Sequence, residues 1–285
     1  MAISIGSNIT SLQAQRRLDI TGQRLSDSFN KLSSGYRINA GADDAAGLAI
    51  ADSLKAQSRI AGQALRNTND GISTIAIADG ALGEVANILS RLAELASQAA
   101  NGTLSTTQRS VVSNEFVALS SEIERIAAVT EFNGIKLLSG TNAVTIQVGT
   151  GSTTSSQIGY TNQLATLQGI GLGNASGALV YSINGTSDAA AATAARLALD
   201  AVYAAIYSVG ASRGILGGVE SRLSTAIANL GVTRENLVAA ESRIRDVDVA
   251  EEAANLTRLN ILQQAGTAVL AQANQLPSLA LQLLR

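Results

Sequence analysis

The chain has 285 residues, 46% of them apolar but only 3% aromatic, and a net charge of −2. It contains no cysteine, histidine or tryptophan, which excludes disulfides, thiolate nucleophiles, Cys/His zinc sites and Ser–His–Asp catalysis. The near-neutral charge argues against nucleic-acid binding, and the single proline, Pro277, leaves helix almost uninterrupted.

Residues 1–40 read as helix, with Leu18, Leu25, Phe29 and Leu32 spaced seven, four and three apart behind Ile5, Ile9 and Leu12. Met1-Ala2-Ile3-Ser4-Ile5-Gly6 lacks the basic segment and apolar run of a cleavable signal peptide. Gly35 and Gly41 break the pattern, and Asp43 and Asp44 supply N-cap oxygens for a second helix reaching about Ala100. In that helix Ile75, Leu82, Leu89 and Ala96 form one seven-residue series, and Ala78, Val85, Leu92 and Ala99 the other. Asn101-Gly102 stops it, and Ser105-Thr106-Thr107-Gln108 spells a capping box for a third helix carrying Val112, Phe116, Leu119, Ile123 and Ile126.

Asn133-Gly134 predicts a tight turn, and Ala143 to Val148 alternates as a short strand. Residues 133–187 are therefore expected to be a small β-hairpin and loop region on the surface. Gly169-Ile170-Gly171-Leu172-Gly173 within it lacks the strand–turn–helix context of a dinucleotide site and reads as flexible loop.

Helical period returns near Ala189. Val202, Val209, Leu216, Leu223, Leu230, Leu237 and Ile244 then recur at every seventh position, which predicts a long helix with a seam facing other helices. Arg213, Glu220, Arg234 and Glu241 occupy alternate seam positions, either fixing register or facing water at a wide bundle edge. A final helix continues to Gln275, with Leu262, Val269 and Leu276 seven apart. Its most apolar stretch, Gly266 to Leu284, is broken by Gln272, Asn274, Gln275, Pro277 and Gln282 and falls short of a membrane span. The fold class is mainly α: an elongated, coiled-coil-like helical bundle built from N- and C-terminal segments around the small β region.

Residues 1–37 carry five bases against two acids, whereas Asp246, Asp248, Glu251 and Glu252 form an acidic cluster near the other end. The large apolar residues on each terminal helix are too few to offset the entropy of ordering it. Both ends are thus expected to order against each other and against further subunits. Asp43-Asp44 and Asp246/Asp248 lack calcium-loop spacing, so neither metal nor cofactor is expected, and no catalytic constellation is present.

The residues resemble one family, bacterial flagellin. The likeness runs through Leu32-Ser33-Ser34-Gly35-Tyr36-Arg37-Ile38-Asn39, Asp43-Asp44-Ala45-Ala46-Gly47-Leu48 and Phe132-Asn133-Gly134-Ile135-Lys136-Leu137-Leu138. It resumes in Ala240-Glu241-Ser242-Arg243-Ile244-Arg245-Asp246-Val247-Asp248, Ile261-Leu262-Gln263-Gln264-Ala265-Gly266 and Leu283-Leu284-Arg285. The resemblance implies a noncatalytic subunit that leaves the cell unfolded through the flagellar type III system and self-assembles into the extracellular filament. It implies that residues 1–43 and 245–285 line the filament core and that 44–244 form a helical spoke without large outer domains. Assembly contacts fall on Leu18, Leu25, Phe29, Leu32, Leu262, Val269 and Leu276. The hairpin at Asn133-Gly134 resembles the region implicated in switching between filament supercoils.

The implied partners are further copies of the chain, an export chaperone, the distal cap protein and the hook–filament junction protein. Arg91, Leu95 and Glu115 match the motif read by host Toll-like receptor 5. Leu89, Leu92 and Ala96 take the buried phase, which places Arg91 and Leu95 off the seam. Leu281, Leu283 and Leu284 resemble the tail read by intracellular inflammasome sensors. Ser152, Thr153, Thr154, Ser155 and Ser156 form a candidate O-glycosylation tract. Two alternatives are a hook–filament junction protein, which shares the terminal helices, and a membrane-active secreted helical protein.

Overall fold

The computed structural model describes residues 7–185 and 187–283, with side chains described through Gln275. Among these residues the fold is mainly helical: α1 (Ile9–Ser34), α2 (Ala45–Ala100), α3 (Thr106–Val129), α4 (Asp188–Arg245) and α5 (Val249–Leu283). Four short strands lie between α3 and α4: β1 (Glu131–Phe132), β2 (Ile135–Lys136), β3 (Ala143–Gln147) and β4 (Gln157–Thr161). Two compact units are formed, one from Met1–Ser58 with Glu235–Arg285 and the other from Arg59–Arg234.

Local chemistry sets the helix ends. The Asn8 side chain accepts from Ser11 N at the start of α1, and Gly35 closes its end in the left-handed region, donating to Lys31 O. The adjacent aspartates divide their duties. Asp44 Oδ1 accepts from Ala46 N and Gly47 N, so it caps α2. Asp43 Oδ2 instead accepts from Ala40 N and Asn39 N across the preceding loop. Those two amides hold the Asp43 carboxyl below its usual pKa, the Ala40 bond first. The capping box at α3 is formed as expected, Ser105 and Gln108 each bonding the other's backbone.

In the larger unit every residue of the two α2 series from Ile75 to Ala99 is buried. They join Phe116, Ile123 and Ala127 of α3, and Ala195, Ala198, Val202, Ala205, Val209, Leu216, Val219 and Leu223 of α4, in one core. Arg213 forms an ion pair with Asp79 of α2 through bonds of 2.8 and 3.1 Å.

Two expectations fail in the region 133–187. It is not a surface appendage: Leu137, Leu138, Ile146, Ile158, Tyr160, Leu167, Leu172 and Ile183 all enter the same core. The helix faces mix alanine with larger residues, and bulky side chains from the irregular segment fill volume that the alanines leave. Nor is the glycine run a flexible loop. Leu167 O accepts from both Leu172 N and Gly173 N, and Gly173 bridges to Leu179. A Cβ on Gly173 would lie 2.7 Å from Leu167 Cβ, so the turn closes only around glycine.

The Asn133-Gly134 turn is as expected. It joins β1 to β2 in the register Phe132↔Ile135, with φ of 50° and 79° at its two central residues. β3 and β4 pair antiparallel from Ala143↔Thr161 to Gln147↔Gln157. β3 lies close on α2, because a Cβ on Gly71 would stand 2.4 Å from Ile146 Cδ1.

Candidate assembly and recognition surfaces

α1 and α5 form an antiparallel pair in the smaller unit. Ser28 Oγ, itself 3% exposed, donates to Glu252 Oε1, and Leu18 seats on Gly266, where an added Cβ would lie 3.3 Å from Leu18 Cγ. At the far end Asn8 Nδ2 donates to Ala273 O at 2.8 Å, and Ser11 Oγ to Asn274 Oδ1 at 2.7 Å. The inward face of α1 is thus Ser11, Ala14, Leu18, Thr21, Leu25, Ser28 and Leu32. Opposite lie Glu252, Leu256, Leu259, Gln263, Gly266, Leu270 and Ala273 of α5. Both faces step by three and four residues.

The expected assembly residues therefore separate into two groups. Leu18, Leu25 and Leu32 are half-buried against α5, while Phe29 (64% exposed), Leu262 (50%) and Val269 (59%) point away from the pair. Ile9, Leu12, Ile20, Val249 and Ile261 are exposed with them. The side chains of Leu276, Leu281 and Leu283, as well as Ile5 and Leu284, lie outside the described residues. The α5 backbone continues past Gln275, through Pro277 to Leu283.

A backbone clasp adjoins this pair. Arg37 N donates to Arg245 O and Val247 N to Gly35 O, and the Arg245 guanidinium stacks over Tyr36 at 4.5 Å. Asp248 Oδ1 accepts from Ala250 N and Glu251 N and so starts α5.

On the larger unit Arg91 is exposed, as its phase predicts. Its guanidinium bonds Glu94 Oε2 at 2.8 Å and Glu115 Oε1 at 2.9 and 3.1 Å. These carboxylates, Glu94 first, raise its pKa further. Leu95 differs from expectation: it is 1% exposed and belongs to the core. Leu92, Ala93, Leu95, Ala96 and Ala99 are all buried, a face wider than a two-stripe seam, because α2 here joins a core shared with α3 and α4.

Arg109 was not legible as a site residue. It is fully buried, donating to Ala99 O, Asn101 O and Asp188 Oδ1. It thereby closes the C-terminus of α2 and ties it to the start of α4.

In the glycosylation tract Ser152, Thr153, Thr154 and Ser155 are exposed and Ser156 is partly covered. Thr153 Oγ1 and Ser155 Oγ are hydrogen-bonded to each other at 2.7 Å. Beside the tract an open cleft of about 640 Å³ runs between the β3–β4 end and α4, with Arg222 the single charged residue of its lining. No group of three or more acidic residues poised for a metal occurs among the described residues. α2 and α4 each pass the length and composition test for crossing a membrane, with mean hydropathy of 1.3 and 1.4 over their most apolar windows. Their seams of Ile75, Leu82, Leu89, Val202, Val209 and Leu216 lie in the core, and 33% and 28% of those windows are buried.

The fold is similar to that of a putative flagellar hook-associated protein from Vibrio parahaemolyticus. The TM-score is 0.57 at 16% identity, covering 72% of this chain and all of that one. Residues 5–143 match the model of the bacterial flagellin N-terminal helical region, and residues 199–284 that of the bacterial flagellin C-terminal helical region. The chain is 43% identical to a flagellin of Halalkalibacterium halodurans over 99% of both chains, and 42% identical to one of Bacillus subtilis at the same coverage. Flagellin FlaB2 of Treponema pallidum is 38% identical over 99% of both chains. The chain belongs to the bacterial flagellin family. It is a structural, self-assembling subunit of the extracellular flagellar filament and not an enzyme.

Proposed function

We propose that this flagellin is exported unfolded by the flagellar type III system with a chaperone's help and folds beneath the distal cap protein. It then stacks above the hook–filament junction protein into a filament used for swimming. Residues 1–43 and 245–285 line the inner core and 44–244 form the spoke. The observation that carries this reading is the outward set Phe29, Leu262 and Val269, with Ile9, Leu12, Ile20, Val249 and Ile261, on two helices already paired through their opposite faces. Exposed apolar groups at this density seek neighbours, and further copies supply them. Electron microscopy of the salted-out full-length chain, beside a chain lacking 1–43 and 245–285, tests it. Long tubes from the full-length chain alone are the expected result. Equal tubes from both chains overturn the core assignment, and a single short ring in place of tubes indicates a junction protein.

Recognition by Toll-like receptor 5 uses Arg91 and Glu115, with Leu95 supporting their backbone from beneath. The exposure of the Arg91–Glu115 pair supports this. Purified monomer should activate receptor-bearing cells, and Arg91→Ala should lower that activity without altering the fold. O-linked sugar falls on Ser152, Thr153, Thr154 or Ser155 ahead of the more covered Ser156. An intact mass equal to the bare sequence dismisses it.

A further inference from the structure

Pro277 lies inside α5, where an ordinary residue would donate its amide to the carbonyl four positions earlier, at Ala273. Proline has no N–H, so that carbonyl loses its helical partner. Ala273 is 5% exposed, so solvent offers little replacement. Asn8 Nδ2 donates to this same oxygen at 2.8 Å. Asn8 does so while its Oδ1 accepts from Ser11 N and caps α1, so both ends of one amide are engaged. Ser11 Oγ adds a bond to Asn274 Oδ1 on the next residue of α5.

We infer that Asn8 and Pro277 form a register lock for the two terminal helices. Pro277 leaves the Ala273 carbonyl without its intrahelical donor, and Asn8 is the donor that fits it. Elsewhere on the seam Leu18 seats on Gly266 and Ser28 Oγ donates to Glu252 Oε1 in the same register. Sliding α1 by one turn would break both contacts. It would also leave the Ala273 oxygen buried and unpaired, a loss specific to Asn8 and Pro277. Asn8 is thus a positioning residue, acting on the stagger of the chain's two ends.

The test is a double-mutant cycle on assembled filaments of the full-length chain. Asn8→Ser keeps an N-cap oxygen but is too short to reach α5. Pro277→Ala restores the helical N–H for Ala273 and makes the outside donor redundant. Hydrogen exchange of the peptides covering residues 7–14 and 268–275 is followed by mass spectrometry, together with the thermal disassembly midpoint. Asn8→Ser should speed exchange of both peptides by about tenfold and lower the midpoint. In the Pro277→Ala background the same change should have little effect on either. Failure of Asn8→Ser to assemble, with assembly regained in the double variant, also supports the lock. An equal effect of Asn8→Ser in both backgrounds, no effect in either, or failure of both variants to assemble, would overturn it. A simple capping role predicts the equal effect.

Discussion

Arg109 Nη1 donates to Asp188 Oδ1 at 3.0 Å, joining the first turn of α3 to the first residue of α4. Thr106 Oγ1 donates to the same oxygen at 2.7 Å. The remaining guanidinium donors hold Ala99 O and Asn101 O at the end of α2. One side chain therefore satisfies the carbonyls that a helix end leaves open and links three helix termini. Arg109→Ala should destabilise the monomer by about 3 kcal/mol, through two orphaned carbonyls and a cavity. Asp188→Asn should cost under about 1 kcal/mol, because the Asp188 side chain is 63% exposed. Urea unfolding followed by circular dichroism separates the two.

Gly71 and Gly214 predict opposite outcomes for the same substitution. Gly71→Ala pushes a methyl into Ile146 and should cost about 1–2 kcal/mol net of the helix-propensity gain. Adding Ile146→Val removes the clashing Cδ1 and should recover most of that loss. Gly214 has nothing within 4 Å of an added Cβ, so Gly214→Ala should stabilise the monomer by about 0.5–1 kcal/mol. Thermal unfolding of dilute monomer compares all three.

The Asp79–Arg213 pair carries a pH signature. The guanidinium hydrogen bond lowers the Asp79 pKa, so the carboxylate form favours the folded state. That stability is present above about pH 4 and is lost as pH falls through the lowered folded value. Both side chains are over a third exposed, so the contribution is at most about 0.5 kcal/mol. Wild type and Asp79→Asn should differ slightly at pH 7 in low salt and converge under strong acid. Urea midpoints across pH show whether they do.

Leu95→Ala tests packing as much as recognition. At 1% exposure it should cost about 2–4 kcal/mol, so any loss of receptor activation by this variant must be read against its melting curve. Arg91→Ala lacks that ambiguity, since its side chain is half exposed.

Phe29→Ser and Val269→Ser should leave monomer unfolding within about 0.5 kcal/mol of wild type, since both residues are more than half exposed. The critical concentration for filament growth, measured by sedimentation, should instead rise about tenfold or more for each, as expected of anchors at the centre of an interface.

Local features were legible. The series through Ile75, Leu82 and Leu89, the Ser105–Gln108 capping box and the Asn133-Gly134 turn each depend on near neighbours, and each forms as read. What escaped depends on distant chain. Leu137, Leu167, Leu172 and Ile183 follow no period, and their burial is set by packing against three helices distant in sequence. Arg109 sits in the first turn of a helix, where a base ordinarily faces water. Only the convergence of three helix ends makes that place interior. On α5 the evident series, Leu262 and Val269, faces outward, while Gly266 and Ala273, too small to register as hydrophobic, face α1.

The division of labour between Asp43 and Asp44 bears on how such chains can change over time. Asp44 sets where α2 begins, and every interior position from Ala51 to Ala99 is counted from it. A residue gained or lost before Asp44 lengthens or shortens a loop and leaves that count intact. One gained or lost inside α2 turns the rest of that helix by about 100°, moving its later buried positions out of phase with the earlier ones. Insertions and deletions among related sequences should therefore fall before Asp44 or beyond Ala100, and not between them.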